Sequence, residues 1–409
     1  MIDKILIVNP GPVYPVTSMS QMRTHNMIRT LSKDFRVDLL TPYVDDESFN
    51  TAHESMASQG GEYIGIKSAK NRSNLLKKRT AQALEYLAYY ITGADREITT
   101  YKRNNKRIKE IIKERGYKTV ISNYWEGSLY YKYLDKGIFK ILDPHYAVGE
   151  NLDVLKRLNK RTFRYFFEKR RLLNNMRLEK EVIDVSDLLL PLSKRNLEEF
   201  RKINPDKPML LIPDGAELDY YLNYPKIPDP RTILFYGAIG SNQNKKAFWR
   251  LFNNILPGLK KEFPGLRLLV VGSNPPDEIK SLDNGNDIIV TGFVEDVRPW
   301  LGQARLCIIP LELGSGFRGR VIELMAMGVP VAGTHNALDS IDMENRVHGY
   351  VSDDDEQLIH YCTDLLRDNE LHNSISKSAR KFVKENYSLE ATFGKLNDYL
   401  KTLVTDGLC

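Results

Sequence analysis

Short apolar runs alternate with amphipathic stretches along this chain, and the whole alternation occurs twice. KILIVNP, FRVDLLTP, KTVISNY, FKILDPH and DLLLPLS each read as a short buried strand, and QMRTHNMIRTLSK and TYKRNNKRIKEIIKER read as helices between them. Strand–helix alternation of this kind predicts a parallel sheet with helices on both faces. MLLIPDG is expected as a further strand, followed by the Pro- and Tyr-rich AELDYYLNYPKIPDPRT, which reads as a linker because Pro continues neither strand nor helix. The pattern then restarts. ILFYGAIG, LRLLVVG, DIIVTGF, LCIIPL and VPVAGT read as strands, and NKKAFWRLFNNILPGLKKEF as one long helix. Two consecutive doubly wound α/β units are therefore expected, with ligands at the carboxyl ends of their strands.

A length of 409 residues suits two cores better than one, and 42% hydrophobic with 27% charged residues is a soluble globular balance. No apolar run has the length that crosses a bilayer, and the opening MIDKILIVNP reads as a strand and turn, not a signal peptide. The three cysteines, Cys307, Cys362 and Cys409, are scattered and suggest neither a disulfide framework nor a zinc site. Cys307, inside RLCIIPL, is expected to be a buried thiol, and a reducing cytoplasm is the expected compartment. Charge is uneven: residues 1–225 hold 38 Lys+Arg against 29 Asp+Glu, whereas the remainder is net acidic. The excess sits in KNRSNLLKKRT, YKRNNKRIKEIIKERGYK and LKRLNKRTFRYFFEKRRLL. These stretches read either as solvated helix faces or as attraction to an anionic surface such as a membrane leaflet.

The stretch PLELGSGFRGRVIELMAMGVPVAGT, Pro310 to Thr334, carries the most chemistry. A strand runs into Gly314 and Gly316, and then Arg318 and Arg320 open a helix whose N-terminus is already partially positive. Glycines let backbone N–H groups approach a ligand, and a helix start adds unpaired donors. An anion such as a diphosphate would turn this repulsion into attraction. Glu323, three residues after Arg320, shares its helix face. It reads either as a surface salt-bridge partner or as a carboxylate that accepts two ribose hydroxyls.

The segment TGFVEDVRPWLGQARLCIIPLELGSGFRGRVIELMAMGVPVAGT resembles the donor-binding region of family 4 retaining glycosyltransferases of the GT-B fold, in particular a bacterial branch with GSGxRxKxLEAMAxGxPVV. FYGAIGSNQNKKAFWRLFNNILPGL resembles the strand and helix that open the second domain there, LIPDGAELDYY the family's IPNGVDLDYF, and YPVTSMSQMRTHNMIRTLS its PPxSGGxxRxxNLLRxLS. The resemblance implies two Rossmann-like doubly wound domains facing a central cleft. Residues 1–224 would bind the acceptor, 225–385 the nucleotide-sugar, and 386–409 would be a helix packed back on the first domain.

Carried over residue by residue, Arg318 and Arg320 would bind the donor diphosphate and act in catalysis, Arg320 standing where lysine is usual. Glu323 would hold the ribose. Gly292, Phe293 and Val294 would contact the base. Gly237, Asn244, Gly314, Ser315, Gly316, Phe317 and Asp339 would complete the donor site. His145, in ILDPHY, would lie near the anomeric carbon and the acceptor, its alternative being a packed or capping histidine. Ser20 and Arg23 would face the acceptor side. Besides Arg320, the sequence departs from the pattern at three places. Ser315 replaces the first glutamate of Glu-x7-Glu, Met19 and Ser20 replace a glycine pair, and ALDS, with Asp339 and Ser340, replaces AxEG.

The activity so implied is retaining transfer of a sugar from a UDP- or GDP-sugar to a glycan, lipid-linked, in cell-surface polysaccharide synthesis. It would need neither metal nor cofactor, because helix N–H groups and guanidinium groups stabilise the departing diphosphate. Asp353 and Asp355 precede a helical pattern and read as first-turn acids, not metal ligands. YAVGENLDVLKRLNKRTFRYFFEKRRLL mixes basic and aromatic residues as a membrane-resting helix does. Two alternatives stay open: a sugar-nucleotide epimerase of the same fold, and a non-catalytic sugar-nucleotide-binding partner of another transferase. Nucleic acid is not expected as a partner, since no zinc finger, helix-turn-helix or aromatic RNA-binding signature is present.

Overall fold

A computed structural model gives the fold; it describes residues 4–16, 18–43, 46–67, 96–152, 155, 160, 163–312 and 318–405. Gly314, Ser315, Gly316, Phe317 and the basic stretch KNRSNLLKKRT lie outside the described residues. The chain divides into two compact units, Met1–Pro213 with Phe393–Cys409, and Asp214–Thr392.

In the first unit six parallel strands form one sheet: β1 (Lys4–Val8), β2 (Arg36–Tyr43), β3 (Tyr63–Lys67), β4 (Thr119–Asn123), β5 (Phe139–Asp143) and β6 (Leu188–Leu189), in the order β3-β2-β1-β4-β5-β6. Ile5 to Val8 and Val120 to Ile121 are nearly inaccessible, as strands covered on both faces must be. The helices α1 (Met19–Leu31), α2 (Asp46–Ala57), α3 (Arg96–Glu114) and α4 (Phe163–Val185) lie between the strands in sequence, and α5 (Lys194–Ile203) follows the last of them. Ser18 caps α1, its Oγ accepting from Gln21 N. MLLIPDG departs from expectation: it forms only a bridge between Leu189 and Met209, with Ile212 N bonding Pro191 O at 2.9 Å. Pro208 and Pro213 bracket the segment, and neither can donate a ladder hydrogen bond.

The second unit repeats the plan with β7 (Thr232–Tyr236), β8 (Arg267–Val271), β9 (Ile288–Gly292), β10 (Leu306–Ile309), β11 (Val331–Gly333) and β12 (Tyr350–Val351), ordered β12-β11-β10-β7-β8-β9. Its helices include α6 (Asn242–Arg250), α7 (Gly319–Ala326), α8 (Asp355–Arg367) and α9 (Asn369–Tyr387). The long helix expected after β7 is interrupted: a wide π turn at Leu251–Ile255 separates α6 from Leu256–Glu262. Pro257, which has no N–H to give, sits just past that turn. Residues 214–224 belong with this unit, where Leu218 enters the core and Ala216 N bonds Tyr387 O at 2.9 Å. The last helix, α10 (Lys395–Thr405), belongs to the first unit, with Lys401 Nζ 3.3 Å from Asp34 and Asn397 also bonded to that carboxylate.

Both sheets have the strand order of the dinucleotide-binding fold, so each has one place where the order reverses: between β1 and β4, and between β7 and β10. Each unit has its own apolar core. Among the described residues no helix is long and apolar enough to cross a membrane.

Candidate functional site

In the second unit the segments after β7 and β10 bring Arg318, Arg320 and Glu323 to the point of strand reversal. Arg318 occupies the cap position of α7, where its backbone N donates to Ser340 Oγ at 3.2 Å. Its Nε and Nη2 are buried with no hydrogen-bond partner among the described residues. Burial, with the like charge of Arg320 adding to it, pushes its pKa down to about 10. A guanidinium with two unsatisfied donors beside a second cation is costly unless an anion meets it.

Arg320 is held differently. Nη1 donates to Tyr236 O at 3.0 Å, and Nη1 and Nη2 both reach Asn244 Oδ1 at 3.1 Å. Asn244 is itself fixed by Nδ2 on Ala238 O at 2.8 Å. Gly237 is required here: its φ is 149°, and a Cβ would stand 1.8 Å from Arg320 Nη1. Gly237 and Asn244 thus shape the seat of Arg320.

Glu323 Oε2 accepts from Tyr236 Oη at 2.8 Å, and Tyr221 also bonds this carboxylate. Burial raises its pKa, against the opposing pull of the two tyrosines and Arg320. The salt-bridge alternative for Arg320 and Glu323 is not what forms, since Arg320 is taken by Asn244 and Tyr236 O and Glu323 by tyrosines. Tyr221 and Tyr236 were not singled out in the sequence, and one signal for them existed: both lie in segments flanking the domain start, LDYY and LFYG. Tyr221 packs edge-on against Tyr220 at 5.1 Å, and Tyr220 lies 3.6 Å under the Arg298 guanidinium and bonds Asp296. This chain of contacts connects Glu323 to the segment following Gly292, Phe293 and Val294. Gly292 ends β9 at φ 69°, Phe293 is 75% exposed, and Val294 packs on the core.

Asp339 is exposed and ends the short helix His335–Leu338, while its neighbour Ser340 is the one that touches Arg318. Of the two acids expected in a first helical turn, Asp355 is there and pairs with Arg250 at 2.8 Å, while Asp353 lies before the helix, which Asp354 caps, and pairs with His335 at 3.1 Å. Cys307 is a fully buried thiol whose pKa burial pushes up to about 12.

In the first unit, Arg23 is not at a surface. Nε and Nη2 grip Asp143 at 2.8 Å each, with both side chains wholly buried. Arg23, expected on the acceptor side, instead spends two of its N–H donors in a bidentate grip on buried Asp143, which gives it a positioning role. Although burial opposes it, Arg23 and His145 hold the Asp143 carboxyl well below its usual range. His145 Nε2 lies 3.4 Å from Asp143 Oδ2. The histidine has φ 62°, and its ring stacks on Tyr124, which has φ 61°, at 4.0 Å. Two non-glycine residues in the left-handed region side by side are uncommon and point to a held geometry. Ser20 lines an open pocket of about 380 Å³ at the carboxyl ends of β1 and β4, together with Asn9, Ser18, Gln21, Tyr124 and Glu126.

Residues 230–368 match the family described as Glycosyl transferases group 1. No curated protein matches the chain. Among solved structures, sucrose-phosphate synthase from Thermosynechococcus elongatus is similar at TM-score 0.69 and 16% identity, over 99% of this chain and 100% of that one. Anabaena Alr3699/HepE in complex with UDP is similar at 0.64 and 11%, over 98% and 100%. TarM is similar at 0.67 and 12%, over 97% and 98%. The paired parallel sheets and these full-length likenesses give the chain the two-domain GT-B fold, and the group 1 match over its second unit supports a glycosyltransferase.

Proposed function

We propose that the chain is a retaining, metal-independent glycosyltransferase that moves a hexosyl group from a UDP- or GDP-sugar to a glycan. The acceptor is lipid-linked, the setting cell-surface polysaccharide synthesis at the cytoplasmic face of a membrane. The observation that carries this reading is Arg318: two buried guanidinium nitrogens with no hydrogen-bond partner among the described residues, at the start of α7 and two residues from Arg320. Anabaena HepE is solved with UDP and glucose, and S. aureus TarM with UDP and alpha-GlcNAc-glycerol, which favours a nucleotide-sugar and a hydroxyl-bearing acceptor for the same fold.

In the proposed reaction the bond from the anomeric carbon to the diphosphate oxygen breaks and a bond from the acceptor oxygen forms on the same face. The acceptor proton passes to the departing diphosphate. Charge grows on that diphosphate, and Arg318, Arg320 and the first N–H groups of α7 meet it without reorganising. Glu323, oriented by Tyr221 and Tyr236, accepts from the ribose hydroxyls, and the segment at Phe293 meets the base. Arg23 and Asp143 keep His145 in place beside the acceptor hydroxyl.

The test is turnover with a panel of UDP- and GDP-hexoses. Arg318→Ala is expected to lose about 10²–10³ in kcat, as removal of one preorganised donor does, with melting temperature retained. Near-normal turnover would remove the phosphate assignment. Isomerised donor formed without any acceptor would favour an epimerase, and binding without turnover a non-catalytic partner.

A further inference from the structure

The chain leaves the second unit and re-enters the first between Thr392 and Phe393. That step falls inside a second π turn, Glu390–Gly394, which leads directly into α10. Phe393 is the first residue back in the first unit, and it is wholly buried. Its ring faces Arg23, whose Cζ lies 5.5 Å from the ring centroid. Arg23 in turn grips Asp143 through Nε and Nη2, and Asp143 Oδ2 lies 3.4 Å from His145 Nε2. Side chains from three segments far apart in sequence thus make one series of contacts, from the crossover to the histidine.

We propose that Phe393 is a positioning residue for His145, acting through Arg23 and Asp143. This rests on the glycosyltransferase reading above, in which His145 stands beside the acceptor hydroxyl. A buried ion pair holds only where its geometry is well kept and water is excluded. Two N–H donors of Arg23 go to Asp143. The Phe393 ring offers the guanidinium a face of partial negative charge, with no polar atom to compete for its donors. With that ring at 0% exposure, water is kept from this side of the pair, and a low local dielectric strengthens the hold of Arg23 on Asp143. His145 needs such a hold. Its φ of 62°, beside 61° at the stacked Tyr124, is a conformation that persists only where the surroundings enforce it. Phe393 is itself kept in place by α10. Asn397 and Lys401 both bond Asp34, which lies just beyond the C-terminus of α1, and Leu396 and Leu400 are buried. The returning segment therefore backs α1 at two levels, at Asp34 past its end and at Arg23 in its body. A displacement of the crossover turn reaches the guanidinium first, and through Asp143 the imidazole.

A phenylalanine that only filled space would serve equally well with its ring electrons withdrawn. The test therefore replaces Phe393, in the full chain, with phenylalanines bearing one, two or three ring fluorines. These keep the ring nearly constant in size while its face becomes less negative. Turnover, melting temperature and the imidazole NMR signals of histidine-labelled protein are followed, His145 being identified by the signal lost in His145→Gln. Turnover is expected to fall stepwise, with kcat about tenfold lower at three fluorines and the donor KM within about twofold of wild type. Melting temperature should hold, and the His145 signals should move while those of His372, on α9 in the second unit, stay. Phe393→Leu removes the ring face altogether and is expected to lose at least as much in kcat; should it fail to fold, the fluorine series decides. The proposal is overturned if three fluorines leave either kcat or the His145 signals unchanged. A wild type that turns over no nucleotide-sugar would instead overturn the glycosyltransferase reading, and the His145 signals alone would then decide whether the ring holds the histidine.

Discussion

Glu179 shows what a single buried acid does to the first unit. Its Oε1 accepts from Val148 N at 2.9 Å, while Oε2 is buried with no hydrogen-bond partner among the described residues. Burial, with Glu126, Glu150 and Glu199 adding to it, pushes its pKa up to about 8. A folded-state value above the unfolded one means the fold binds this proton more tightly. The contribution to stability is then complete below the ordinary carboxylate pKa and is lost as pH rises through about 8. Glu179→Gln keeps the acceptor for Val148 and removes the charge. At a pH above the raised value the variant is expected to exceed the wild type by at least about 1 kcal/mol, while below the ordinary carboxylate pKa, at about pH 4, the two should be alike. Denaturant titrations at the two pH values check it, and a difference that is the same at both would show that ionisation of Glu179 is not the cause.

At the scale of one helix, α4 combines the two properties that the basic–aromatic stretch predicts. Phe166, Lys169, Arg170, Leu173, Arg177 and Lys180 are all exposed and follow helical spacing along one face. Phe166 is 63% and Leu173 55% exposed, with Lys169 and Arg170 between them. Further along, Arg177 and Lys180 pair with Glu181 at 3.2 Å and Asp184 at 2.9 Å, so the cationic and apolar end is the N-terminal one. An anionic leaflet attracts each nearby Lys or Arg by about 1 kcal/mol and accepts the apolar groups at its boundary. Lys169→Glu with Arg170→Glu is therefore expected to lower co-sedimentation with phosphatidylserine vesicles at least about tenfold, and high salt to do the same to the wild type. Unchanged sedimentation would return the stretch to the solvated-face reading. Elements such as α4 are legible in sequence because exposure and burial alternate with the helical period. MLLIPDG was less so, since its apolar run looks like a full strand but pairs only briefly with the end of β6 and the residues after it, between Pro208 and Pro213.

For the molecule as a whole, the doubled alternation of strand and helix was legible because the central strands, such as β1, β4, β7 and β10, are covered on both faces and read as apolar runs. The arginines were legible too, because cations at a helix start are out of place without an anion. Their partners were not: Tyr236 stands 87 residues from Glu323, and Arg23 120 residues from Asp143, distances over which no local spacing carries information. What joins such residues is the reversal of strand order in each sheet, which gathers the ends of β7 and β10 in one unit and of β1 and β4 in the other. If those two places bind different chemistry, hydrogen exchange should separate them. Excess UDP or GDP is expected to slow exchange at Tyr236–Asn244 and Arg318–Glu323, where backbone and side chains meet the diphosphate and ribose. A methyl glycoside, standing for the acceptor glycan, should instead slow exchange around Asn9–Gln21 and Tyr124–Glu126. At a hundredfold excess over its dissociation constant, either ligand adds about 2.7 kcal/mol to the stability of what it binds, a protection that exchange can resolve. Nucleotide protection confined to the first unit would invert the assignment of the two sites. Protection of neither segment by nucleotide would leave the two Arg318 nitrogens that lack a partner among the described residues without the anion that explains them.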